Sequence, residues 1–258
     1  MSAILPPENR FKRRLLEGEP LTGIWNSLGS PAAAEALSLV GYDWMLFDTE
    51  HAPVEISGLA PLLQASSCGT ASAIVRPAWN DQVLIKRALD IGAQTLLIPF
   101  VQNAEEARAA VASMRYPPEG CRGVAGATRA SRYGMAKGYL NSANEQMCCL
   151  VQIETGTAVD ELEEIAGTPG VDGVFIGPSD LAASLGHLGE PSHPSVQAVL
   201  KHCASRLRAI NLPAGILATD TASAQRYSDY GYQFIAVAVD IPLLANAASN
   251  TLEAFLDT

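Results

Sequence analysis

Eight short apolar runs along 258 residues constrain what this chain can fold into more than any other feature. They cover residues 23–26, 44–47, 73–75, 95–99, 148–153, 173–176, 214–217 and 234–239. Most show little in–out alternation, as expected of parallel strands covered on both faces. Helical patterns separate them. Residues 31–40 follow Ser30, a good N-cap with Pro31 at the first helical position, and stop at Gly41. Further helical patterns fall at 81–91, 103–114, 157–166, 194–210, 221–230 and 241–256. Such an alternation predicts an α/β fold, a (β/α)8 TIM barrel, in one domain over residues 1–258. A doubly wound open sheet is the competing architecture, but no G-x-G-x-x-G follows the first run. Hydrophobic residues make up 48% of the chain, enough for the large core a barrel needs.

The formal charge is -10 and the sequence pI about 4.8. With no Lys/Arg stripe, nucleic acid is not an expected partner. No stretch is apolar for long enough to span a bilayer, so no membrane partner is expected either. Arg10, Lys12, Arg13 and Arg14 form a basic cluster with no apolar run after it, which does not read as a secretory signal. Five cysteines (68, 121, 148, 149 and 203) lack CxxC spacing, and free thiols in a reducing cytoplasm explain them. Cys148 and Cys149 are expected on opposite faces of one strand.

In a barrel of this kind the chemistry belongs at the C-terminal ends of the strands. The run at 148–153 leads into Glu154, and the run at 173–176 leads through Gly177, Pro178 and Ser179 to Asp180. A helical segment lies between, so the two strands are expected to be parallel neighbours. Adjacent strands lie about 4.8 Å apart, and two carboxylates leaving the same ends could share one divalent cation. All-oxygen ligands suit Mg²⁺ or Mn²⁺. Alternatively, Asp180 only caps a helix starting near Leu181. The second run leads into Asp48, Thr49, Glu50 and His51, and the third into Arg76. His51, alone of four histidines at a strand end, is a candidate acid/base. Arg76 reads either as an ion pair to Asp48 or Glu50, or as a stabiliser of a developing oxyanion. Free N–H groups at 177–180 either hold a carboxylate or open an ordinary helix. Lys12, Lys86, Lys137 and Lys201 all fall away from strand ends, which closes the Schiff-base route. Residues 120–138, with Arg122, Arg129 and Arg132, are expected on the same rim as a lid or subunit contact.

With these motifs in place the chain resembles the metal-dependent (class II) pyruvate aldolases of the HpcH/HpaI aldolase/citrate lyase type. The resemblance covers nearly the whole length. It rests on residues 41–44 with 48–53, on 75–77 and 85–92, on 115–120 and 122–124, and on 151–154 and 170–181. It implies that Glu154 and Asp180 hold the cation (Mg²⁺, Mn²⁺ or Co²⁺) and that His51 is the acid/base, paired with Asp90. It also implies that Arg76 steadies a pyruvate enolate, with no organic cofactor. Gln152, Ser179 and Pro178, together with Trp25 and Leu217 at the ends of the first and seventh strands, are expected to line the substrate pocket. The implied reaction is reversible cleavage of a 4-hydroxy-2-oxo acid to pyruvate and an aldehyde, and the implied assembly is a hexamer exchanging its terminal helix, here 241–256. Members include 4-hydroxy-2-oxoheptanedioate aldolase and 2-dehydro-3-deoxyglucarate aldolase. Residues 115–120 and 185–189 look closest to the latter, while 123–126 departs from both. A lyase or decarboxylase acting on oxaloacetate or a phosphoenolpyruvate-like acid is the alternative reading.

Overall fold

All eight apolar runs become strands in the computed structural model, which describes residues 4–257. They are β1 (Leu21–Asn26), β2 (Trp44–Asp48), β3 (Ser72–Arg76), β4 (Thr95–Ile98), β5 (Cys148–Ile153), β6 (Val171–Ile176), β7 (Ala214–Leu217) and β8 (Phe234–Val239). Each pairs in parallel with the next, and β8 returns to β1, so the sheet closes. In order, the helices are α1 (Arg10–Leu16), α2 (Pro31–Ser38), α3 (Ile56–Ser66), α4 (Gln82–Asp90), α5 (Ala104–Met114) and α6 (Tyr139–Gln146). They continue as α7 (Gly156–Asp160), α8 (Leu162–Ala166), α9 (Pro178–Ser184), α10 (Pro194–Ala209), α11 (Thr221–Tyr230) and α12 (Asp240–Leu256).

The helix starts follow from side chains that satisfy the first free N–H groups. Ser30 accepts from Ala33 N, Asp81 from Val83 N and Leu84 N, Asn103 from Glu106 N, and Asp220 from Ser223 N. The helix expected at 157–166 breaks at Glu161 into α7 and α8. In α3, Pro61 sits inside the helix and obscures the pattern.

Strand parity divides the apolar residues into two cores. Inside the barrel lie Leu21, Trp25, Trp44, Leu46, Ile74, Leu97, Cys148, Leu150, Phe175 and Phe234. Their strand neighbours, among them Met45, Phe47, Val75, Cys149, Val151 and Val174, pack outward against the helices. Cys148 and Cys149 therefore face opposite sides of β5. The N-terminal mouth is plugged by α1, whose Phe11 packs edge-on to Trp44 and Phe234. Lys12 anchors it to Asp172 at 3.2 Å. The basic cluster of the sequence is this plug. Among the described residues no helix is long and apolar enough to cross a membrane.

The loop expected on the catalytic rim lies at the other end. It connects the end of α5 to α6 and the start of β5, and its arginines bind groups at the N-terminal ends of strands. Arg129 donates to Ile91 O at 2.8 Å and Leu63 O at 3.3 Å, and Arg122 pairs with Asp90 at 2.9 Å. The sequence reading placed the loop by its length and arginines; chain direction, α5 running down and β5 running up, puts it below.

At the C-terminus α12 leaves the barrel. Asp240 is tied to Ser27 N and Leu28 N at the end of β1, but every residue from 241 to 257 is exposed, Leu244, Leu252 and Leu256 included.

Candidate active site

The residue that ends each strand on the inward parity meets the others at one mouth. Asp48 and Arg76 are register partners on β2 and β3. Arg76 Nε and Nη2 donate to Asp48 Oδ1 and Oδ2 at 2.9 and 2.7 Å, a two-pronged pair with both side chains buried, Arg76 6% and Asp48 2% exposed. The Trp25 ring lies under the guanidinium at 4.7 Å, and its Nε1 donates to Asp48 Oδ2 at 3.2 Å. Asp48 Oδ1 also accepts from Glu50 N at 3.0 Å, so one carboxylate orients Arg76, Trp25 and the turn carrying His51. Burial pushes the Asp48 carboxyl up, but its hydrogen bond and charge contact with Arg76 outweigh this and hold it below the ordinary range.

The ion-pair reading of Arg76 is what the structure shows. Arg76 pairs with Asp48 and also lies 2.7 Å from Glu50 Oε2, outside hydrogen-bond alignment. Nη1 otherwise reaches only Gln152 Oε1, at 3.5 Å. Nη1 is the guanidinium nitrogen not bound to Asp48, and its close partner is the carboxylate of Glu50.

Glu154, 3% exposed, continues the inward parity of Gln152 beyond β5. Its Oε2 accepts from Gln152 Nε2 at 2.5 Å, and its Oε1 from Phe100 N at 3.0 Å. Phe100 can aim that N–H because it adopts a left-handed backbone, φ 53°, an uncommon state for a side chain of this size. Gly177 faces Glu154 across β5 and β6. A Cβ there would come within 2.7 Å of Glu154 Oε2 and 3.0 Å of Gln152 Nε2, so the glycine makes room for the carboxylate. Asp180 lies in the first turn of α9 and is exposed; Gly177 holds the cap position, which removes the reading of Asp180 as the N-cap. Burial, then the charges of Asp180 and Glu50, push the Glu154 carboxyl up to about 7. Glu154 thus feels the charge of two further acids, and the donors of all three are oxygen. A divalent cation relieves that crowding, so this donor set fits a hard ion.

His51 stands at the mouth, 69% exposed, with Glu50 Oε2 as the nearest acid at 3.9 Å. Asp90 does not meet it. It ends α4 at the opposite face of the barrel, where Arg122 binds it. Trp25, Gln152, Pro178, Ser179 and Leu217 all reach the mouth at strand or helix ends. The sequence named Asp48 and Glu50 only as ion-pair partners of Arg76 and Gly177 only as part of the 177–180 segment, and it gave Phe100 no role. Strand parity predicts that Asp48 faces Arg76 once the register is known.

A closed parallel barrel with acids, an arginine and a histidine gathered at its C-terminal mouth is the architecture of a barrel enzyme. The HpcH/HpaI aldolase/citrate lyase description matches residues 21–247. A pyruvate aldolase of Rhizobium etli is 52% identical over 242 residues, covering 94% of this chain and 95% of that protein. A 4-hydroxy-2-oxo-heptane-1,7-dioate aldolase of Escherichia coli is 49% identical over 242 residues, with 93% and 92% covered. The crystal structure of an HpcH/HpaI aldolase/citrate lyase family protein from Burkholderia cenocepacia superposes with a TM-score of 0.93 at 43% identity, covering 96% of this chain and 99% of the other. The chain belongs to the HpcH/HpaI aldolase/citrate lyase family.

Proposed function

We propose that this pyruvate aldolase cleaves 4-hydroxy-2-oxo acids to pyruvate and an aldehyde, with a divalent cation held by Glu154 and Asp180. The observation that carries the reading is buried Glu154, pushed up by the charges of Asp180 and Glu50, beside Arg76, whose Nη1 lies against Glu50 rather than Asp48. When bound, the cation supplies Lewis-acid polarisation of the 2-oxo acid and positive charge for the enolate that develops. The chain's own residues do the rest. Arg76 Nη1 donates to the oxygen on which charge grows, held flat by Asp48 and Trp25 so that little reorganisation accompanies the step. His51 removes the C4 hydroxyl proton as the C3–C4 bond breaks to the aldehyde and the enolate, and a proton returned to C3, from His51 or from solvent that reaches its exposed ring, gives pyruvate. Ser179 and its neighbours at the α9 start offer backbone N–H groups to the substrate carboxylate, and Trp25, Pro178 and Leu217 give the methylene side an apolar wall. Gln152 keeps Glu154 in place.

Asp90 can serve His51 only from another copy of the chain, because within one barrel the two residues lie at opposite ends. The exposed apolar α12 supports assembly, and a hexamer in which α12 covers a neighbour is the form proposed.

The test is cleavage of a panel of 4-hydroxy-2-oxo acids with and without chelator, reading pyruvate and aldehyde separately. Metal-dependent release of both is expected. Turnover undiminished in excess chelator contradicts the cation assignment, and pyruvate without aldehyde contradicts the aldolase.

A further inference from the structure

The connection between α9 and α10 carries two histidines that the aldolase chemistry does not use. His187, Glu190 and His193 each place one ligand atom within 4.8 Å of the others. The backbone explains why. Glu190 N donates to His187 O and His193 N to Glu190 O, both at 2.9 Å, so two consecutive three-residue turns put positions 187, 190 and 193 on one side. The loop is pinned at both ends: His187 N donates to Ala182 O at 2.8 Å, and His193 holds the N-cap position of the sixteen-residue α10, its Nδ1 accepting from Ser195 N at 3.3 Å, a contact that a cation on Nδ1 replaces.

The two imidazoles stack, with centroids 3.6 Å apart and planes 16° from parallel. A nitrogen of each converges on one point, the Ser195 hydroxyl: His193 Nδ1 at 2.8 Å and His187 Nε2 at 2.9 Å. One hydroxyl proton can serve only one of the two nitrogens. A cation at that point would meet both, once Ser195 turns about χ1 and the rings tilt to bring the distances to about 2.0–2.1 Å. Glu190, exposed, supplies the third ligand.

We propose that His187, Glu190 and His193 form a second cation site, taking a borderline transition-metal ion of the Zn²⁺ type. Two imidazoles and one carboxylate prefer such an ion to Mg²⁺, whereas the all-oxygen set at Glu154 and Asp180 favours the hard ion. The fourth position remains open to water. Occupancy ties the end of α9, whose first turn bears Asp180, to the start of α10. Zinc therefore acts as a clasp on the segment that carries one side of the catalytic mouth.

The experiment is a zinc titration of the full-length protein in excess Mg²⁺, followed by calorimetry and by thermal midpoint. The His187→Gln/His193→Gln double variant and the Glu190→Gln variant are titrated in parallel. Zinc that displaces Mg²⁺ at the catalytic acids appears equally in all three and subtracts out. Wild type is expected to take one more zinc per chain than the double variant and to gain a zinc-dependent rise in midpoint that the double variant lacks. Glu190→Gln, a change at an exposed side chain, is expected to weaken the same event roughly tenfold or more. Equal zinc uptake by wild type and double variant overturns the site, as does a Glu190→Gln isotherm identical to wild type.

Discussion

Asp48→Asn is the substitution that most directly probes how the mouth is held together. The change keeps size and shape and replaces one acceptor oxygen by an NH2 group. Asp48 Oδ1 accepts from Arg76 Nε and Glu50 N; Oδ2 accepts from Arg76 Nη2 and Trp25 Nε1. Whichever way the amide turns, at least two N–H donors face a donor, and at least one of them is a buried Arg76 N–H. Leaving a buried donor unsatisfied costs about 1–3 kcal/mol, and removing one partner of a buried ion pair costs about 3–5 kcal/mol. Glu50, 2.7 Å from Arg76 Nη1, keeps the guanidinium from losing all its compensation, which favours the low end. A loss of about 3 kcal/mol is expected, or a midpoint about 6–12 °C lower in a chain of this size. Urea unfolding followed by tryptophan fluorescence, with calorimetry alongside, measures it. The sign with pH follows from the depressed Asp48 pKa. Its stabilisation is complete above the ordinary aspartate value of 3.8 and is lost as pH falls through the lower native value, so the gap between wild type and variant closes only in acid. A gap under about 1 kcal/mol at pH 7 refutes the reasoning, because no buried pair of this geometry could then be contributing.

Cation affinity is expected to be full above about pH 7 and to fall below it by roughly tenfold per unit, because the proton on Glu154, pushed up to about 7, competes with the ion; Mn²⁺ titration at pH 6 and pH 8 gives the comparison, and equal affinities contradict the ligand role. Gly177→Ala places a methyl against Glu154 Oε2, so it is expected to weaken the cation while leaving the fold cooperative, since φ there is an ordinary -87°; unchanged affinity means Glu154 is not held where the geometry requires. Arg76→Ala is expected to lower cleavage and pyruvate C3 proton exchange together, by about 10²–10³. Exchange surviving at wild-type rate removes Arg76 from enolate stabilisation. Leu244→Asp/Leu252→Asp on α12 is expected to dissociate the assembly in light scattering, and an unchanged mass shows that the exposed helix face is not the contact.

The barrel was legible because its cause is local. Parallel strands covered on both faces must be apolar throughout, so β5, β7 and β8 were delimited to the residue as 148–153, 214–217 and 234–239. The strand ends were legible for the same reason, since an ionisable residue after an apolar run marks where the strand stops. Glu154 and Arg76 could therefore be named without coordinates. The cap at Ser30 is a local hydrogen bond and was equally visible, whereas Asp81 and Asn103, read as first helical residues, are caps.

What the sequence could not decide depends on which residues face each other across strands and on which end of the barrel a segment occupies. The 120–138 loop, expected on the rim, lies below it, as does Asp90, because helices run antiparallel to strands and carry their last turns to the opposite face. Glu50, Phe100 and Gly177 matter through contacts to residues on other strands, Arg76 for Glu50 and Glu154 for the other two, and no periodicity reports these. His187, Glu190 and His193 meet because two tight turns stack them, a backbone path that composition does not encode. The amino-acid pattern alone determined that the chain is a barrel with acids, an arginine and a histidine at strand ends. The closed register of that barrel decided that Asp48 holds Arg76 and that Glu154 is crowded by acids, because burial and distance exist only once the eighth strand has found the first.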